Sequence, residues 1–320
     1  MKPVVLSPNL PETFYRGSGR LSTFRHQELP PRPEDWVAST TARFGRAPAG
    51  LTVLEDGSLL ANAIEADPQA WLGSSAADTG LLVKLLDAGQ RLPVHVHPNR
   101  SFARAHFASK YGKTEAWIVL DAAPDAIVHL GFARDIDRTE LSEWVAKQDT
   151  AAMLEATNRI PVAAGDALLC PAGMPHAIGA DVLLVELQEP TDFSVLLEWE
   201  GFPLTREDAM LGMPMDQAID CVDRRACTPE RLRSLYTPAP HSLLPAEAAD
   251  FFRAEALASG VLTADFSVLI GTSGRGELSG DWGAMTFGHG STILVPHAAG
   301  DCSVSGDVAG IRCRKALLAA

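Results

Sequence analysis

GQRLPVHVHPNRSFARAHFASKYGKTE, residues Gly89 to Glu115, decides how the rest of the chain is read. His95 and His97 are two apart, and on a β-strand such positions share a face. Two imidazoles from one strand make half of a metal site, and neutral imidazole suits zinc, iron, manganese, nickel or copper. Tyr111-Gly112-Lys113-Thr114 is a turn that leads into the apolar run AWIVL, so Glu115 sits at the mouth of a strand. If that strand pairs beside the first, its carboxylate reaches the same centre. A second segment begins at Gly165. There LLC reads as a buried strand, Pro171-Ala172-Gly173 as a turn, and His176 as the start of the next strand. Three imidazoles and one carboxylate make a mononuclear site with room for water or substrate.

Composition narrows the class. The chain has 320 residues, 46% hydrophobic and 21% charged, which is globular and large enough for one big domain or two moderate ones. A net charge of −13 argues against a nucleic-acid partner. It leaves open a small anionic ligand, which needs only local cations. Cys170, Cys221, Cys227, Cys302 and Cys313 are odd in number and form no C-x-x-C, which fits a reducing cytosol. No signal-peptide pattern opens the sequence and no apolar run approaches a membrane span. The expectation is a soluble cytoplasmic protein with no membrane contact.

Along the chain, Val4-Val5-Leu6-Ser7-Pro8 reads as a short strand, Asp35–Thr41 as a strand, 62–72 as helical, and Gly80–Asp87 as an apolar run. Lys84 inside that apolar run is costly unless paired, aimed at a polar cavity, or snorkelling from a rim. His129 reads as a rim or core histidine. Residues 135–158 change to helical spacing with polar starts. Val182–Gln188 is a strand with Glu186 and Gln188 on one face, and Ser194–Trp199 is another. Residues 206–235 read as helical, and Pro238, Pro240 and Pro245 as a linker. From Phe251 onward, short strands and glycine turns alternate.

The spacing G-x5-H-x-H followed by Glu, then G-x5-P-x-G-x2-H, carried by Gly89, His95, His97, Glu115, Gly165, Pro171, Gly173 and His176, resembles the two-part signature of the cupin barrel. The segments LLVKLLDAGQRLPVHVHPN, YGKTEAWIVL, PAGMPHAIG and ELQEPTD further resemble the type I mannose-6-phosphate isomerases, in their short bacterial form. The resemblance implies a mostly β fold of two cupin (jelly-roll) barrels, the first metal-binding and the second degenerate, with a helical insertion. The implied boundaries are 1–134 and 159–205 for the metal-binding barrel, 135–158 for the insertion, 206–245 for a helical segment and linker, and 246–320 for the second barrel half. In that second half, Gly271–Glu277 and Gly290-STILV-Pro296 echo the motifs without a histidine pair.

The resemblance also implies one divalent metal, zinc first, with manganese, iron(II) or cobalt as alternatives. Its ligands would be His95, His97, Glu115 and His176, His95 standing where the family usually has glutamine. Lys113 matches a lysine the family places in its active site, Lys84 matches another residue of the pocket wall, and Asp192 matches a kept aspartate; these three are the candidate catalytic residues. Leu196 falls where the family carries an arginine. Arg100 or Arg104 could supply a cation from another wall, and Glu198 is a weaker substrate-binding or base candidate. The implied activity is aldose–ketose isomerisation of mannose 6-phosphate, or a related sugar, through a cis-enediol. A small sugar or sugar phosphate would be the only partner. The same ligand set also suits an iron dioxygenase, and loss of the arginine leaves room for a sugar-binding protein or an isomerase of free sugars.

Overall fold

The computed structural model describes residues 1–239 and 243–317. Pro240, read as part of the linker, lies outside them. The chain is mostly β, and its strands form three antiparallel sheets. The six-stranded sheet runs Tyr236–Thr237, Ala167–Cys170, Glu115–Ala122, Val182–Gln188, Leu82–Ala88, Glu34–Val37. The five-stranded sheet runs Val195–Leu196, His95–Val96, His176–Ile178, Ile127–Phe132, Thr157–Pro161. The seven-stranded sheet is built from the C-terminal part and takes Val4–Val5 as an edge, paired to Thr292–Val295.

Alternation sets which side chains face the site. His95 lies between Val94 and Val96, and both valines are buried in a cluster with Phe132, Leu141, Val145 and Met153. That cluster seats helices Arg138–Lys147 and Thr150–Ala156 on the outside of the five-stranded sheet. Each fully buried valine contributes on the order of 1.5–3 kcal/mol. Because the strand period is two, fixing the valines outward fixes the histidines inward. Both helices have side-chain caps, Asp137 accepting from the Thr139 N–H and Asp149 from the Ala152 N–H.

Some elements are shorter than expected. The strand expected over Asp35–Thr41 stops at Val37, because Ala38 turns to φ 52°, a left-handed conformation no strand continues. The helical stretch expected over 206–235 breaks into Arg206–Ala209, Met215–Ala218, a 3-10 turn at Ile219–Cys221 and Pro229–Ser234. Gly212 at φ 77° and Pro214 interrupt it. Ser194–Trp199 contributes only the two-residue strand Val195–Leu196. In the C-terminal part, Gly271–Glu277 lies inside the long strand Ser267–Gly280. His297 starts a 3-10 turn and its ring packs over Gly73, where a Cβ would come within 2.4 Å of it. Phe252, Phe266, Val268 and Ile311 join the same core as Trp117 and Leu85, so the C-terminal sheet shares a core with the rest. The five cysteines are free and buried. Among the described residues, no helix is long and apolar enough to cross a membrane.

Gly89, just before the histidine strand, is crossed by the N-terminal segment. A Cβ there would meet the Gly17 carbonyl carbon at 2.3 Å and the Ser18 nitrogen at 2.4 Å, both backbone. That segment is held by Asp87, which accepts from the Ser18 and Arg20 N–H groups at 2.8 and 2.9 Å. Gly89→Ala is therefore expected to destabilise the protein by about 1–3 kcal/mol, the usual range for overpacking. Chemical denaturation of the variant checks this, and a midpoint matching the parent's would contradict the packing described.

Candidate metal centre

His95 and His176 are direct cross-strand partners in the five-stranded sheet, with ring centroids 4.0 Å apart. His97 follows two residues on. From the facing sheet, Glu115 places Oε2 2.9 Å from His97 Nε2 and Oε1 3.3 Å from His176 Nε2. All four side chains are buried. The structure thus brings together the four residues that the sequence spacing grouped.

Backbone carbonyls fix the protonation pattern of the rings. His95 Nδ1 lies 2.8 Å from the Pro93 carbonyl, His97 Nδ1 2.9 Å from that of Phe193, and His176 Nδ1 2.9 Å from that of Met174. A carbonyl only accepts, so each Nδ1 carries the proton and donates it. Each Nε2 is left with a lone pair, and the ligand atoms of the three histidines lie within 4.8 Å of one another. His176 Nε2 is buried with no hydrogen-bond partner among the described residues. Lone pairs locked by an outer ring of carbonyls, a buried orphan nitrogen and an adjacent carboxylate fit a divalent cation. Cys170, with Sγ 3.2 Å from His176 Nδ1, adds a soft donor beside it.

Electrostatics keep the donors available. Burial, then the Lys113 ammonium, push His97 down to about 3 from 6.5. Burial, then His176, hold His95 well below its ordinary value. Burial alone would raise Glu115, but Lys113 together with His97 and His176 outweighs it, and the carboxyl lies well below the usual range. Lys113 Nζ donates to Glu115 Oε2 at 2.6 Å and to His97 Nε2 at 2.8 Å.

Lys84 is buried between two carboxylates, with Nζ 3.1 Å from Glu186 Oε1 and 3.6 Å from Glu34 Oε2, and lies over Trp36. Burial would lower its pKa, but Glu186 and Glu34 raise it overall. Glu186 is itself raised, by burial and then by the Glu115 charge. A narrow pocket joins these groups, lined by His95, Lys113, Glu115, Lys84, Glu186 and Ser194. It shares Phe14, Arg43, Asp192 and Ser194 with a wider cavity of about 590 Å³, which is its approach.

Four other candidates stand elsewhere or do other work. Asp192 lines the approach, but its Oδ2 accepts from Arg43 Nε and from the Phe44 N–H, each at 3.0 Å. Arg100 donates to Glu189 Oε1 at 2.5 Å, while Glu189 Oε2 accepts from the Thr114 N–H; the pair latches a helix start to the strand leading into Glu115. Arg104 is exposed on the helix Arg100–Phe107 and lines neither cavity. Glu198 is gripped by Arg91 and accepts from the Val94 N–H at 2.8 Å, fixing the entry to the histidine strand. Leu196 lines the wider cavity, as Cα partner of His95. Sequence reasoning missed Arg43, Glu34 and Tyr15, whose hydroxyl donates to Glu34. It placed Glu186 on the correct face without assigning it a part.

No protein-family model matches the chain. Among curated proteins, the mannose-6-phosphate isomerase ManA of Bacillus subtilis is 35% identical over 129 residues, 40% of this chain and 38% of that protein. The mannose-6-phosphate isomerase of Streptococcus mutans is 33% identical over 149 residues, 45% of this chain and 46% of that protein. Over these stretches the chain is similar to proteins named mannose-6-phosphate isomerase. The aligned stretches span less than half the length of each of these relatives. In fold the likeness runs further. The crystal structure of the Bacillus subtilis mannose 6-phosphate isomerase superposes with a TM-score of 0.77 at 19% identity, covering 98% of this chain and 100% of that one. A variant of the Salmonella typhimurium phosphomannose isomerase gives 0.75 at 16%, covering 98% and 100%.

Two outcomes are expected. Replacing His176 with Ala removes a locked Nε2 and should leave purified protein with less than a tenth of the parent's bound divalent metal, measured by elemental analysis; undiminished metal would place the site elsewhere. His97 is held neutral in the fold, so the unfolded chain takes up a proton between about 6.5 and about 3 that the folded chain refuses. Its contribution to stability is complete above 6.5 and declines as pH falls through that window. Metal-free protein should lose denaturation free energy from pH 7 to pH 4, with a shallower slope in His97→Gln; parallel slopes would contradict the assignment.

Proposed function

We propose that this chain is a metal-dependent aldose–ketose isomerase, acting on mannose 6-phosphate or a related sugar. The observation that carries the proposal is the convergence of three locked imidazole lone pairs and Glu115 beside a pocket that His95, Glu115, Lys84 and Glu186 line. The names of the homologues supply the reaction class. His95, His97, His176 and Glu115 would hold the metal, with zinc the first choice for this donor set. When bound, the ion supplies positive charge that stabilises oxyanion character at the sugar's reacting carbons.

The chain's own groups carry the proton. Isomerisation removes a proton from C2 of the aldose, forms the cis-enediol, and returns a proton to C1, while a hydroxyl proton passes between O1 and O2. Glu186 is the carboxylate placed for the carbon acid. Burial and the nearby Glu115 charge raise its pKa toward the working range of a general base. Lys84, 3.1 Å away, favours the ionised form of Glu186 before the proton arrives and is the second member of a relay. Lys113 holds Glu115 and His97 in register and presents its ammonium to the pocket. The same proposal takes the six- and five-stranded sheets as the two faces of one jelly-roll barrel and the seven-stranded sheet as a second, metal-free half. Residues 135–158 are then an insertion, and 206–245 a connecting segment.

The test is an isomerisation assay on metal-reconstituted protein with mannose 6-phosphate beside free mannose and other sugars. Turnover, abolished in His97→Ala, is expected. Glu186→Gln should lower kcat by about 10²–10⁴-fold, the usual worth of a general base, with metal content unchanged. Tightly bound metal without turnover of any sugar would sink the proposal, and oxygen uptake by the iron-loaded form would move the site to dioxygenase chemistry.

A further inference from the structure

The cations around the pocket differ in what they already hold. Lys84 is paired to Glu186 and Glu34, Lys113 to Glu115, Arg91 to Glu198 and Arg100 to Glu189. The wider cavity on the approach has two arginines, Arg43 and Arg46, on one turn of the loop that follows strand Glu34–Val37. Arg43 gives its Nε to Asp192 and its Nη1 to the Glu12 carbonyl. Its Nη2 has no protein acceptor among the described residues. The Arg46 guanidinium is exposed and likewise makes no protein hydrogen bond among them.

The loop is built to hold these groups still. Arg43 N–H donates to the Ala49 carbonyl at 2.7 Å, Arg46 N–H to the Arg43 carbonyl at 2.9 Å, and Asn9 Nδ2 to the Gly50 carbonyl at 2.7 Å. Asp192 takes the Phe44 N–H, and the Phe44 ring packs edge-on against Phe107 and Phe193. Asp192 thus acts through Arg43, as a positioning residue. Three carboxylates also line this cavity: Asp192 is bound to Arg43, Asp208 stays ionised in a capping box with Thr205 and within electrostatic reach of Arg46, and the third is Glu207. Across from the arginines the wall is the apolar Leu196.

We propose that Arg43 and Arg46 form the subsite for the anionic end of a sugar phosphate, supplying from this loop the cation that the wall at Leu196 lacks. Planar guanidinium forks match phosphate oxygens, and a fork whose Nε is already fixed by a carboxylate loses little freedom on binding. Arg43 lines both the metal pocket and the approach, so a sugar with its reacting end at the metal centre would point its far end past this loop. The assignment rests on the isomerase function proposed above.

The test compares metal-loaded parent, Arg46→Ala and Arg43→Lys. The ratio of kcat/KM for mannose 6-phosphate over free mannose should fall tenfold or more in Arg46→Ala, the usual effect of losing a charged hydrogen-bond partner. Lys at position 43 keeps charge but not the fork, and should lower the same ratio less. An unchanged ratio in Arg46→Ala overturns the subsite. Titration with inorganic phosphate separates this outcome from failure of the isomerase proposal. If no sugar turns over, yet the parent binds phosphate and Arg46→Ala does not, the subsite stands and the isomerase function falls. If the parent isomerises mannose 6-phosphate and mannose equally and binds no phosphate, the subsite falls and the isomerase function stands.

Discussion

A carboxylate buried beneath three imidazoles must be compensated, and the Lys113 ammonium is what compensates Glu115. Desolvating either charge alone costs several kcal/mol. Two residues apart on one strand entry, they are desolvated together, and their hydrogen bonds reach the imidazoles as well. The rest of the centre depends on this pair. It keeps Glu115 ionised, and burial beside a cation keeps His97 neutral, so these two are unprotonated donors at physiological pH. Outside this shell, three backbone carbonyls orient the rings and two sheets hold the backbones still.

A second buried system repeats the solution. Lys84 stands between Glu186 and Glu34, Tyr15 and Trp36 donate to Glu34, and Trp117 donates to Glu115. The two systems meet across the six-stranded sheet, where Glu186 is the Cα partner of both Lys84 and Trp117. Glu186 is the member left with a raised pKa, first because it is buried and then because the Glu115 charge lies near it. A polar network that is nearly but not fully neutralised is where proton transfer becomes possible.

How much of this could be read from residues alone follows their range of action. His95, His97, Glu115 and His176 were legible because strand period and turn spacing are local rules, and a helix-packed valine face confirms them. The carbonyl locks were not, since they depend on where Pro93, Met174 and Phe193 lie in space. Arg100 drew attention by standing near the histidines in sequence, but the helix it opens carries it outward to Glu189. Arg43 did the reverse: it sits in an aperiodic loop with no motif, and only the fold brings it to Asp192, 149 positions away. Glu198 looked like a free carboxylate, yet its oxygens are committed to Arg91 and to the Val94 N–H.

The pairing of Val4–Val5 with Thr292–Val295 has a consequence for how the chain assembles. The strands that carry His95, Glu115 and His176 pair only with strands between residues 95 and 196. The N-terminal strand instead waits for a partner almost 290 residues later, as does the Leu6 N–H, while Arg25 donates to Thr292, 267 residues on. Such long-range closure is slow. Until it occurs, an edge strand remains unpaired and able to associate with other chains. The strands around His95, Glu115 and His176 can therefore pair while Val4–Val5 still lacks its partner.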